Sequence, residues 1–220
     1  MLALPLVALV VLACGAAGFV AYVLWPRWPL VAADAPALPI TIAGVAFNVP
    51  PAAMRVPVQR RPGAHERVDL AFLWPSLAPP DPAAATQRPP PAAARAIERL
   101  FVTIAAAGDT LAPAERVTII YPRYVAPQSV AGPDGLAVLA FRDGTPYQGE
   151  DLIYDAEKPD AFTVRCSRNG AGPTPGTCLY TRRIDAADIV VRFPRDWLGD
   201  WRLVNDSIDR LIRSLRPPGN

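Results

Sequence analysis

The chain predicts an α+β fold: an N-terminal transmembrane helix followed by an antiparallel sheet domain with a C-terminal helix packed on the sheet. Three observations predict it. From Leu2 to Trp25 there is no charged side chain. Short apolar runs divided by turn residues fill the middle of the chain. Near the end, Trp197, Trp201, Val204, Ile208, Leu211 and Leu215 recur every three or four residues, as one face of a helix does.

The uncharged stretch makes about 36 Å of helix at about 1.5 Å per residue, enough to cross a hydrocarbon core of roughly 30 Å with some tilt. Tyr22, Trp25 and Trp28 gather where aromatic rings favour the headgroup layer, and Arg27 marks the boundary. A cleavable signal peptide needs a basic start and a shorter apolar run, and the late site Ala33-Asp34-Ala35 is followed by Pro36. Val11-Leu12-Ala13-Cys14 looks like a lipobox, yet Gly15 to Trp25 stays apolar where a lipidated chain turns polar. Gly15, Ala16, Ala17 and Gly18 leave a smooth face on which another helix could pack. Residues 1–25 are therefore read as a signal-anchor helix.

Residues 26–39 carry four prolines and read as a semi-rigid linker. Residues 40–216 suffice for one core of ordinary size and are read as a single α+β domain. Within it, residues 75–95 are dominated by proline and alanine, a composition that cannot bury a core, and read as a mobile loop.

The domain opens with Ile40 to Ile42 and Val45 to Val49 flanking Ala43-Gly44, the spacing of a tight hairpin. Arg67 to Trp74 and Leu100 to Ala106 read as strands that become interior. Thr110 is placed to cap a short helix from about Leu111 to Tyr121, with Pro113 in its first turn. A meander follows, with strands at Leu136 to Phe141, Asp151 to Tyr154, Phe162 to Cys166, Cys178 to Arg182 and Ile189 to Phe193. Connections this short require antiparallel neighbours. Asp196 is placed to cap the final helix, Arg210, Arg213 and Arg216 suit its C-terminal end, and Pro217-Pro218 stops it.

Arg27, just past the stem, by the positive-inside tendency favours a cytoplasmic domain. The cysteines argue the opposite. Outside the stem there are two, Cys166 and Cys178, flanking a loop rich in glycine and proline between two strand-like runs. A hairpin would join their sulfurs, and such bonds persist in oxidising compartments, the bacterial periplasm among them. The abundance of arginine, alanine and proline, with Lys158 the only lysine, is the codon bias of a GC-rich bacterial genome. The expected location is the bacterial inner membrane, single-pass, with the C-terminal domain in the periplasm.

The formal net charge of +2 marks no nucleic-acid binder. His65 is the only histidine, which removes a multi-histidine metal site, and its surroundings, Pro62 to Glu66, read as a turn. No nucleophile elbow, phosphate-binding loop or paired C-x-x-C is present. No catalytic, cofactor or metal residue is assigned. The densest acidic stretch holds Glu150, Asp151, Asp155, Glu157 and Asp160, at spacings that fit no calcium loop. With Leu152 and Tyr154 facing inward, Asp151 and Asp155 face outward. The same alternation puts Phe162, Val164, Cys166, Cys178 and Tyr180 inward and Arg165, Leu179, Thr181, Arg183 and Arg192 outward. Opposite charges across strands account for such a lattice; the sharper reading is that Arg165, Arg183 and Arg192 bind an anionic group, a lipid head or a cell-wall polymer.

The function expected from these residues is that of a membrane-tethered, non-catalytic binding or scaffolding protein acting on another envelope component. The alternatives are a hydrolase or transferase using Asp151 and Asp155, which requires those carboxylates to converge in a cleft, and a cytoplasm-facing membrane regulator.

Overall fold

The computed structural model describes residues 3–24, 31–82, 98–170 and 175–217. It contains an α+β fold whose main sheet is antiparallel throughout. Helix α1 spans Ala3–Leu24. A small sheet follows, formed by β1 (Leu38–Ile42), β2 (Val45–Val49) and β3 (Gly63–His65) in the order β2-β1-β3. The main sheet has eight strands: β4 (Arg67–Leu73), β5 (Arg99–Ala106), β6 (Val130–Ala131), β7 (Leu136–Ala140), β8 (Glu150–Asp155), β9 (Thr163–Ser167), β10 (Thr177–Ile184) and β11 (Ala187–Pro194). Their order is β4-β5-β11-β10-β9-β8-β7-β6, so the expected meander runs from β11 back to β6 and the earlier strands join at its end.

The residues of α1 are apolar with no polar side to the helix. Val11, Leu12 and Phe19 are 65%, 75% and 66% exposed. Side chains of α1 are described for Val7 and residues 10–23, and among the described residues no helix is long and apolar enough to cross a membrane. Of the helix expected over residues 1–25, a helical backbone is present over Ala3–Leu24; a membrane crossing is not among the described features. Cys14 lies exposed within this helix.

β1 begins at Leu38, inside the stretch read as a linker, and Val31 already donates its backbone N–H to Arg60 at 2.9 Å. The first hairpin forms as expected. Ala43 and Gly44 both take positive φ (49° and 82°), the two-residue turn whose twist matches its strands. β3, read as a turn, instead pairs parallel with β1, and His65 is buried there with Nε2 2.8 Å from the Arg61 carbonyl oxygen. Of the loop expected at 75–95, residues 83–95 lie outside the described ones.

One face of the main sheet is covered by the small sheet and by α3 (Trp201–Ser214). Val68, Leu70 and Phe72 of β4, Val102 and Ile104 of β5, and Ile189, Val191 and Phe193 of β11 meet Ile40, Phe47 and Val49 beneath Val204, Ile208 and Leu211. The second layer is sewn by Asn48, whose N–H donates to the Leu215 carbonyl at 2.8 Å. Trp201 packs on Phe162 with centroids 4.9 Å apart and donates its indole N–H to the Asp134 carbonyl.

Three further elements depart from expectation. α3 starts at Trp201, not after Asp196, because Arg195–Asp200 winds as a 3-10 segment that lays Trp197 against Trp74 at 4.5 Å. The helix expected from Leu111 to Tyr121 is a composite: α2 (Pro113–Glu115), a π turn at Arg116–Ile120 and a 3-10 turn at Tyr121–Arg123. Thr110 does not cap it, since its hydroxyl donates to the Ala107 carbonyl. On β8 the two faces are reversed: Asp151 and Ile153 point to the main core, while Leu152 joins Tyr121 and Phe141 in a second cluster on the opposite face.

Cys166 and Cys178 are register partners, joined by a disulfide with Cα atoms 4.0 Å apart. The hairpin beyond them closes on Gly176, where a Cβ would lie 2.5 Å from Asn169 Oδ1 and 2.6 Å from the Ser167 carbonyl oxygen. With 12 residues of sequence separation, the crosslink stabilises by about 3 kcal/mol in the chain-entropy model. Replacing both cysteines by serine is expected to lower the unfolding free energy by about that amount, read as a shift in the urea midpoint with the slope preserved. Dithiothreitol should reproduce the shift in the native chain and leave the double variant unmoved.

Candidate functional site

A β-strand alternates its side chains, so the face of the main sheet turned away from α3 carries every second residue. Register places Ala71, Phe101, Arg192, Leu179, Arg165, Leu152 and Leu139 in one row across it. The composite helix and Tyr147 cover one end of this face, where Tyr121, Phe141 and Leu152 are buried together. The other end is open around Arg192, although Ala71 on β4 is buried.

Beneath the composite helix lies a cleft of about 390 Å³, lined among others by Arg116, Val117, Leu152, Arg165, Leu179 and Arg183. Two of the three arginines singled out from the sequence reach it, and both are engaged. Arg165 Nε lies 2.6 Å from Glu150 Oε2, and its guanidinium sits 5.0 Å over the Tyr147 ring. Arg183 binds Asp188 through two nitrogens at 2.7 and 3.0 Å and donates to the Thr110 carbonyl, stapling that loop to the sheet. Hydrogen bonding to Asp188 is the largest cause raising the Arg183 guanidinium above its ordinary value. Arg116 is the least committed cation here: its nearest carboxylate oxygen, on Asp188, is 3.9 Å away, and its Nε is shielded from solvent without a hydrogen-bond partner.

Arg192, the third arginine, does not line the cleft. It is exposed on the open end with no ion pair among the described residues, directly opposite Phe101 in register. The Arg55 guanidinium lies over that same ring at 4.6 Å. Two arginines without a carboxylate partner among the described residues are thus associated with Phe101, Arg55 over its ring and Arg192 opposite it in register. Sequence reading missed Arg55 because it reaches this face only through the pairing of Met54 with Leu70, a contact between segments far apart in the chain.

The acids do not converge. Asp151 is buried and held from both sides, by Arg168 Nε at 2.8 Å and an Arg195 terminal nitrogen at 2.7 Å, so it is not outward-facing as alternation suggested. Asp155 accepts a hydrogen bond from the Glu157 N–H in the turn beyond β8. No group of three or more His, Cys, Asp or Glu side chains that could hold a metal occurs among the described residues.

Removing the Asp151 charge leaves two arginines uncompensated. Asp151→Asn is expected to destabilise the fold by about 2 kcal/mol, less than a fully buried pair because Arg168 is partly solvated, whereas Asp155→Asn stays within about 0.5 kcal/mol; paired urea titrations compare them. Asp69 gives a pH signature. Its carboxylate is held below the usual range chiefly by hydrogen bonding from Arg67, helped by Thr103 and Gln59 and opposed by burial. A lowered folded pKa contributes stability above the unfolded value of about 3.9 that is lost as pH falls through the folded one. The stability difference between native protein and Asp69→Asn should accordingly shrink below about pH 4 in urea melts at successive pH values.

No family model matches the chain, and no curated protein matches it. Among solved structures, its fold is similar to that of an immunity protein of the Stenotrophomonas maltophilia type IV secretion system, at 16% identity and TM-score 0.55, covering 84% of this chain and 94% of the other. A weaker likeness is to the Neisseria meningitidis iron-regulated outer membrane lipoprotein FrpD, at 8% identity and TM-score 0.43, covering 83% of this chain and 98% of the other.

Proposed function

We propose that this protein is a non-catalytic binding protein of the bacterial envelope, anchored in the inner membrane by its N-terminal helix, with the domain in the periplasm and a protein as its partner. The observation that carries the reading is the stem. A helix apolar on all sides belongs in a core or a bilayer, and the described side chains of α1 are exposed, outside the core of the domain. The Cys166–Cys178 disulfide supports an oxidising compartment.

A binding role is favoured over the carboxylate-dependent enzyme because Asp151 is neutralised by two arginines and Asp155 is turned into a loop contact. A protein partner is favoured by the surface beside the cleft. Ile119 on the composite helix, one turn from the loosely held Arg116, and Leu111 just before that helix are 46% and 41% exposed. Arginine is among the residues enriched in interface hot spots, and exposed apolar side chains near it supply area that a partner can bury. The fold similarity to an immunity protein of a secretion system is the reason to look first among secreted or envelope proteins for that partner.

An alkaline phosphatase fused after the C-terminus should be active in intact cells, and an inactive fusion would select the cytoplasm-facing regulator. A photo-crosslinker at Ile119 should then yield a discrete adduct with one envelope protein, abolished by Arg116→Glu. A crosslinker pattern indifferent to that substitution would remove the cleft from the interface.

A further inference from the structure

We propose that the loop from Val56 to Arg61 is a second membrane contact, which docks the domain edge onto the anionic headgroups of the same bilayer that holds α1. The proposal rests on the anchored reading of the stem. Chain length drives it. Leu24, the last residue of α1, and Val31 are seven residues apart, so no path between them exceeds about 25 Å. Val31 is hydrogen-bonded to Arg60, within the loop itself. Wherever the stem leaves the bilayer, this loop is the nearest fixed part of the domain along the chain.

The loop has the composition of a surface that meets a headgroup layer. A 3-10 turn at Pro57–Gln59 thrusts its apolar residues outward, leaving Val56 and Val58 37% and 61% exposed. Arg55, Arg60 and Arg61 flank them. Arg55 and Arg60 have no carboxylate partner among the described residues; Arg60 donates to the Met54 carbonyl, and Arg55 rests on Phe101. The nearby Asp69 is neutralised by Arg67, leaving Glu66, and Asp34 on the entering chain, as the exposed acids near the loop. Arg192, across from Phe101, extends the same basic surface onto the open sheet face.

Tethering makes weak contacts sufficient. A short linker holds the loop at an effective concentration on the order of millimolar relative to the bilayer, so two valines and a few arginines do not have to bind vesicles unaided. Attraction to anionic lipid falls off within about 8 Å at physiological salt, which demands that the basic groups lie at the surface and not on a long arm.

The test uses the full chain with Cys14→Ser, reconstituted into vesicles of phosphatidylcholine with or without phosphatidylglycerol. A polarity-sensitive label is placed through Val58→Cys or, as a control, through Asp160→Cys in the exposed turn between β8 and β9, toward the other end of the sheet from β4. Resistance to an alkaline carbonate wash reads the anchor; quenching by headgroup spin-labelled lipid reads docking. The expected result is a wash-resistant chain whose Val58→Cys label is quenched at least about twofold more than the control, with the excess removed by Arg55→Glu combined with Arg192→Glu or by omitting phosphatidylglycerol. Equal quenching at the two positions in a wash-resistant chain would overturn docking and leave the anchor standing. An excess that persists unchanged in pure phosphatidylcholine would overturn the anionic specificity, and a chain released by the wash would remove the anchor and docking together.

Discussion

The direct opposition of Cys166 and Cys178 is the constraint on which the rest of the structure depends. Because a strand repeats every two residues, fixing one cross-strand pair on the inward side assigns a face to every residue of β9 and β10, and pairing carries that assignment to β8 and β11. Slipping β9 by one residue against β10 would turn Val164 to the outside and bring Arg165 into the core. A covalent bond excludes the slip. The hairpin then delivers Arg195 and Arg168 to the same end of the sheet, where both converge on Asp151.

Much of this was legible in the chain, and the exceptions share a cause. Alternation identified the outward arginines on β9, β10 and β11 and the inward aromatic and cysteine positions, because those strands have one polar and one apolar face. It failed on β8 because that strand is covered on both sides, Ile153 by the main core and Leu152 by the Tyr121 and Phe141 cluster. A strand apolar on both faces carries no two-residue signal. The inward acid at Asp151 was hidden for a further reason: its two neutralising arginines lie 17 and 44 positions later in the sequence, and nothing local announces them.

The composite helix shows propensity yielding to backbone chemistry. Val117, Thr118, Ile119 and Ile120 are a β-branched run, stiff at χ1 and poor at filling a regular helix. Pro122 follows, lacking an N–H and restricting Tyr121 before it. A wider π turn and then a 3-10 turn accommodate both, and they deliver Tyr121 into the second cluster while leaving Ile119 outside. The residues that make the segment a poor helix thus make it a covering strap with an apolar outer surface.

The topology separates the two surfaces of the domain that matter for binding. The chain enters beside Arg60 at the β4 edge, and its final helix is tied back to β2 in the layer over that half of the sheet. The entry edge is consequently β4, while the strap-covered cleft lies three to five strands away along the row, over β10, β9 and β8. Strands spaced at about 4.8 Å put roughly 15 to 25 Å between the β4 edge and the cleft over β10, β9 and β8. If the entry edge faces the bilayer, the cleft is carried outward by about half the width of the sheet, away from the headgroups and open to a partner diffusing alongside the membrane. A domain held by the stem alone would sample many orientations; a second contact at the loop would fix one of them, removing rotational freedom before the partner arrives and so lowering the cost of its binding.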